Sequence, residues 1–216
     1  MRRPPIPFVH GGTYVQRMTF PIADPERTAL KEWAVLADAM LRGDIVAMVR
    51  KGGIREQRAG FSVRHDRFLL YPTYFHEKEV ELAERFRPAL AASHAERPPE
   101  GRIRLAGVAE VVALWRVTEL EPLRAIADAH GLAWPAVESR FHYKQRPGVQ
   151  VVAVRVRRLA APVELAEARR YGGCVSWVEL DDDVDVAGAR AVLDEAALAA
   201  RVAALADVLG APSAEG

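Results

Sequence analysis

The stretch Val149-Gln150-Val151-Val152-Ala153-Val154-Arg155-Val156-Arg157-Arg158-Leu159 constrains the fold more than any other. Side chains alternate between the two faces of a strand, so Val149, Val151 and Ala153 would face one way while Gln150, Val152 and Val154 face the other. A strand apolar on both faces over its first half belongs in the middle of a sheet. Its far end, with Arg155, Arg157 and Arg158, turns basic.

Helical signals surround it. Leu30, Trp33, Ala34, Ala37, Met40 and Leu41 recur at three- and four-residue spacing, which predicts a helix with Asp24 as N-cap, Pro25 at its first position and Gly43 as its stop. Asp44–Arg50 reads as a mostly apolar strand broken by Lys51-Gly52-Gly53. Gly60–His65 and Arg67–Tyr71 read as two more short strands, with Phe61, Val63, Phe68 and Leu70 available for the core. After Pro72 the spacing of Val80, Leu82, Ala83 and Phe86 predicts a helix over Glu77–Phe86, with continuation past Pro88 open; Ser93–Gly101 reads as a loop. Ile103–Val117 has the β-branched content of one bent strand or two, Leu120–His130 a helical stripe closed by Gly131, and Cys174–Leu180 another strand. An Asp-rich turn then leads into a helix whose Leu193, Ala197, Val202, Leu205 and Leu209 could dock on the body or on a second copy.

The expected class is α+β: a mixed sheet or small pseudobarrel flanked by helices, with a C-terminal helix. At 216 residues and 50% hydrophobic content the chain can bury one good core. The expected division is an extended arm over 1–24, rich in proline, a single body over 25–180, and an acidic turn with the last helix over 181–216. No run of about 18 apolar residues is present, and Met1-Arg2-Arg3-Pro4-Pro5-Ile6-Pro7 lacks the apolar block of a secretory signal, so no membrane association and a cytoplasmic location are expected. The lone Cys174 fits a reducing compartment and a small packed residue.

Charge is unevenly spread. From Val178 onward nine Asp/Glu face two Arg, a balance of −7, which leaves +8 on residues 1–177. Of the 30 cations 26 are Arg. The guanidinium fork suits phosphate, although an Ala- and Arg-rich composition also follows from a GC-rich genome.

Two basic, aromatic stretches stand out. In the first, Arg50, Lys51 and Arg55 surround the double glycine at a strand end, where outward amides and cations would hold an anion; an ordinary basic hairpin turn is the competing reading. Downstream, Tyr71, Tyr74, Phe75 and His76 crowd around Pro72. The second is Phe141-His142-Tyr143-Lys144-Gln145-Arg146. Rings beside cations are what stack bases and neutralise phosphates, while rings at strand ends also serve as core. Motifs for other chemistry are missing. Neither a Walker loop nor a dinucleotide fingerprint occurs, and His76-Glu77-Lys78-Glu79-Val80 has valine where a zinc peptidase needs its second histidine. A metal-dependent nuclease or phosphodiesterase would have to draw on Glu56, His65, His76 and Glu77. The Asp181–Asp185 run reads as a solvated turn rather than a calcium loop.

Leu30-Lys31-Glu32-Trp33-Ala34, Arg50-Lys51-Gly52-Gly53-Ile54-Arg55-Glu56 and Phe68-Leu69-Leu70-Tyr71-Pro72-Thr73-Tyr74-Phe75-His76 together resemble a bacterial family, the Domain of Unknown Function 1802 family. The resemblance extends more loosely to Leu159-Ala160-Ala161-Pro162-Val163 and implies no activity. More distantly, the order of elements around Gly43-Asp44-Ile45-Val46 and Arg155–Leu165 is similar to PUA-like pseudobarrels, a resemblance that implies RNA or flipped-base ligands.

The expectation is a non-enzymatic module for nucleic acid or a nucleotide-like ligand, RNA or DNA, with no cofactor and no metal. Arg50, Lys51, Arg55 and Lys144 would meet phosphate, Tyr71, Tyr74 and Phe141 would stack, and His76 would border the cleft. The alternatives are the nuclease and a scaffold that forms a homodimer through the C-terminal helix.

Overall fold

The computed structural model describes residues 27–51, 63, 65–173 and 175–213. The first strand, β1 (Thr28–Trp33), runs without a loop into helix α1 (Ala34–Arg42), which Gly43 ends in the left-handed conformation. Strands β2 (Ala47–Arg50) and β3 (Arg67–Thr73) follow, then two single 3₁₀ turns at Glu79–Glu81 and Glu84–Phe86, helix α2 (Arg87–Ala95) and the long strand β4 (Arg102–Val117). Short helices α3 (Pro122–Ala125), α4 (Ala127–His130) and α5 (Trp134–Phe141) lead to β5 (Val149–Ala166), β6 (Trp177–Glu179), β7 (Arg190–Ala191) and helix α6 (Glu195–Leu209). The chain is thus α+β, with a C-terminal helix, as the sequence predicts. No helix among the described residues is long and apolar enough to cross a membrane.

The strands form one mixed sheet in the order β2-β5-β4-β3-β1-β6, with β7 also on β5. Only β1 and β3 pair in parallel among the described strands; Lys31 lies beside Tyr71 and Trp33 beside Thr73. The predicted central strand is confirmed, with β2 and β4 on its two sides and every residue from Val149 to Val154 buried. Its ladder with β4 shifts register between Leu105 and Gly107 and again between Val111 and Ala113, and such bulges bend a ribbon.

Both faces of the sheet are covered. On β3, Phe68 and Leu70 enter one apolar cluster with α1, α5 and Leu198 and Leu205 of α6, while Leu69 and Tyr71 enter a second with Tyr171, Val178 and Leu180. The bend brings β4 so close to α1 that a side chain on Gly107 would meet Leu41 Cδ2 at 2.5 Å and the Arg157 carbonyl at 3.1 Å.

Several sequence expectations change. The stripe beginning at Leu30 is strand up to Trp33, because Ala29 and Leu30 are buried between β3 and β6 and a central strand is apolar on both faces, which mimics helical spacing. Asp24 and Pro25 lie outside the described residues. Glu77–Phe86 makes two 3₁₀ turns rather than a helix; the helix begins at Arg87, where Pro88 fits the first turn, and reaches Ala95, into the expected loop. Leu120–His130 divides into two short helices, and α5 was not foreseen. The Asp44–Arg50 strand shortens to Ala47–Arg50 and Cys174–Leu180 to Trp177–Glu179, while Gly60–Ser62 and Cys174 lie outside the described residues.

The acidic segment is not merely solvated. Asp183 pairs with Arg27 at 2.5 Å, Asp181 pairs with Arg170, and Glu195 pairs with Arg155 at 2.7 Å. Asp194 caps α6 by accepting from the Ala197 amide at 2.7 Å. Beyond α6, the Trp115 indole N–H donates to the Gly210 carbonyl at 2.8 Å, and Leu193, Val202 and Leu209 pack on the main cluster. The apolar side of the last helix therefore docks on the body.

Candidate functional site

The ends of β1 and β2 are neighbours in space although neither ladder joins them. Arg50 Nη1, at the end of β2, donates to the Lys31 carbonyl at 3.1 Å and to Glu32 Oε2 at 3.2 Å, with Glu32 only 5% exposed. Glu32 Oε1 accepts from the Trp33 amide at 2.9 Å. Since β2 is one edge of the sheet and β1 lies next to the other, this pair can form only because the sheet curls back on itself. Arg140 on α5 completes the closure: it donates to the Val49 carbonyl at 2.9 Å and lies 5.3 Å from the centre of the Trp33 ring. Burial pulls its guanidinium below its ordinary pKa, and Glu32 pulls it back up. Arg50 thus closes the curl.

Lys51 is equally committed. Its ammonium donates to the carbonyls of Phe141, at 2.9 Å, Arg146 and Gly148, fastening the loop between α5 and β5. Tyr71 is buried, donates to Glu167 Oε1 at 2.7 Å and meets Tyr171 edge to face at 6.5 Å; burial and Glu167 push its hydroxyl pKa up. Phe141 is in the main core cluster. Of the eight residues singled out in the sequence these four face inward, and Arg55 lies outside the described residues. Arg50 and Lys51, expected to meet phosphate, and Tyr71 and Phe141, expected to stack, thus all make contacts within the fold.

Tyr74, His76 and Lys144 remain at the surface or near it. Beyond β3 the chain presents Tyr74 half-buried, Phe75 63% exposed and His76 exposed, the last with φ of 64°. Arg97, just past α2, lies over both rings, 5.3 Å from the centre of Tyr74 and 5.1 Å from that of Phe75. His94 meets Tyr74 edge to face at 5.8 Å. Burial, then Asp38 and Glu77, raise the Tyr74 hydroxyl, so it stays a protonated donor at neutral pH.

Glu77 anchors this platform. Helix α1 has no cap of its own at Trp33; the Val35 amide donates instead to Glu77 Oε1 at 3.2 Å, and His94 Nε2 is 2.5 Å from Glu77 Oε2. Burial raises the Glu77 carboxyl above its ordinary pKa, against the pull of the Val35 amide and His94. The platform is thus positioned by a carboxylate that ties the start of α1 to the end of α2.

Of the residues considered for a nuclease, the three that are described form no common site. His65 packs edge to face on Trp177 at 5.1 Å, Glu77 is occupied as described, His76 faces out, and Glu56 lies outside the described residues. Among the described residues no three His, Cys, Asp or Glu side chains group in a way that could hold a metal ion. Phe75, Arg97 and His94 escaped the sequence reading as a set. Phe75 was visible as one ring among several, but the approach of Arg97 depends on where α2 returns the chain.

A protein-family model described as a domain of unknown function (DUF1802) matches residues 29–204, and the chain belongs to that family. The match runs from β1 well into α6, further than the motifs alone reach. No curated protein sequence matches. Among solved structures, a serine-to-alanine variant of ASCH from Zymomonas mobilis is similar at 13% identity and a TM-score of 0.44, covering 74% of this chain and 92% of that one. ASCH from Zymomonas mobilis without that change is similar at 14% identity and 0.41, covering 74% and 90%. At that level the likeness concerns the layout of elements alone.

Proposed function

We propose that this protein is a non-catalytic binding module for single-stranded nucleic acid, and that Tyr74, Phe75, His76, His94 and Arg97 form its base-stacking and phosphate-contacting platform. The observation that carries the reading is the Phe75 ring, held 63% exposed with the Arg97 guanidinium 5.1 Å from its centre. A large ring left in water loses the stabilisation of burial, and one braced beside a cation offers a π face and a positive charge together, the pairing that single strands use.

The test is a fluorescence-anisotropy titration of labelled oligouridylate and oligothymidylate across a series of salt concentrations. Binding that weakens linearly in log K against log salt is expected, since each neutralised phosphate releases counterions. Absence of binding at the lowest salt, or binding that salt does not change, would overturn the proposal.

A further inference from the structure

The loop between α5 and β5 holds a backbone that its sequence should resist. Lys144 and Gln145 are consecutive, both at φ of 55°, in the left-handed region that side chains with a Cβ disfavour. A turn needed only to join a helix to a strand would place Gly or Asn at such positions. Here Lys and Gln occupy them, so the side chains themselves are the reason to look for a role.

The surroundings hold the turn in place. Lys51 donates to the Phe141 and Gly148 carbonyls at the two ends of the loop and to the Arg146 carbonyl between them, the Gly148 amide donates to the Phe141 carbonyl at 3.1 Å, and the Gln145 amide donates to the His142 carbonyl at 2.9 Å. Partial burial lowers the Lys51 pKa, as does Arg146, and the ammonium is used to fix three carbonyls. What the loop then displays is His142-Tyr143-Lys144-Gln145-Arg146, a stretch without an acid. Tyr143 is 39% exposed and Lys144 Nζ lies 5.3 Å from the centre of its ring. This repeats, on a second element, the cation-beside-ring arrangement of Arg97 and Phe75. The two lie on connected parts of the molecule: Ala133, just before α5, donates its amide to the Glu81 carbonyl in the first 3₁₀ turn after His76 at 2.9 Å.

We propose that the turn 142–146 is a preset second contact for single-stranded nucleic acid, in which Lys144 meets a backbone phosphate and Tyr143 a base, and in which Lys51 is a positioning residue that holds the turn in its strained form. This rests on the nucleic-acid reading of the Phe75 platform and extends it to a second point along the strand.

The experiment compares the full chain with Lys144→Gly, Lys51→Met, their combination, and Phe75→Ala, using labelled oligouridylate. Glycine fits the left-handed backbone, so Lys144→Gly should leave the melting temperature unchanged or raise it, while the slope of log K against log salt shrinks by about 0.7, one single-strand phosphate contact. Lys51→Met should weaken binding in the native background and weaken it less in the Lys144→Gly background, where only the Tyr143 contact remains to be lost, a non-additivity that a merely structural lysine would not produce. An unchanged slope in Lys144→Gly overturns the proposal, and if Phe75→Ala still weakens binding the platform reading survives it. No binding by the unaltered protein removes both. Should Lys144→Gly lose affinity for anionic phospholipid vesicles and keep its full affinity for oligouridylate, the turn faces membranes and the proposal is wrong.

Discussion

Acid should destabilise this protein through one buried imidazole. His130, at the end of α4, is 2% exposed, and its Nδ1 accepts from the Leu132 amide at 3.1 Å. Burial is the main cause of a pKa lowered to about 4 from 6.5; Arg140 and Arg85 push in the same direction, and the Leu123 carbonyl and Asp128 oppose them. The folded value lies below the unfolded one, so the unfolded chain takes up the proton first. Stability from this residue is complete above pH 6.5 and is lost as pH falls toward 4. Linkage puts the loss, relative to pH 7, at about 2 kcal/mol by pH 5 and about 3 kcal/mol by pH 4, a large part of a typical domain's stability. Urea unfolding of the native chain and of His130→Asn at pH 7, 5 and 4 isolates the effect, because asparagine offers an acceptor to the Leu132 amide but does not titrate. The native chain should lose about 3 kcal/mol more than the variant over that range. Parallel pH profiles for the two proteins would refute the argument.

Glu32→Gln removes the carboxylate that half-buried Arg50 pairs with and should cost about 1.5–3 kcal/mol in urea unfolding, with the curl of the sheet loosened as read by amide exchange in β2. Glu77→Ala removes the remote cap of α1 and should cost about 1–2 kcal/mol. Because burial raises the Glu77 carboxyl above its ordinary 4.5, the stability it contributes is complete below that pH and declines as pH rises through the raised value; Glu77→Gln should flatten that decline. Gly107→Ala forces a methyl against Leu41 and the Arg157 carbonyl and should lower stability by about 1–3 kcal/mol while leaving oligonucleotide affinity untouched.

The sequence disclosed what is local and hid what the curl of the sheet decides. β5 was legible because Val149–Val154 is apolar on both faces, and Gly43 and Gly131 marked helix ends that the backbone confirms with φ of 79° and 72°. The strand at Thr28–Trp33 was not, since a doubly buried strand and a helical stripe look alike over six residues, and the cap that starts α1 comes from Glu77, 42 residues along the chain from Val35. Arg50 and Lys51 were conspicuous as clustered cations. Their partners, Glu32 and the carbonyls of Phe141, Arg146 and Gly148, become neighbours only when β2 returns to the end of β1, and no local pattern announces those contacts. Arg97 carried no signal of its own, because its place over Tyr74 and Phe75 depends on a helix that starts at Arg87.

The central claim is that the exposed ring of Phe75 binds a base. Val80 supplies an internal control, being 69% exposed and apolar but without a π face. In anisotropy titrations of labelled oligouridylate at low salt, Phe75→Ala should weaken binding by about 1–3 kcal/mol, roughly 5- to 150-fold, while Val80→Ala leaves it unchanged. Equal affinities for the two variants would contradict the account.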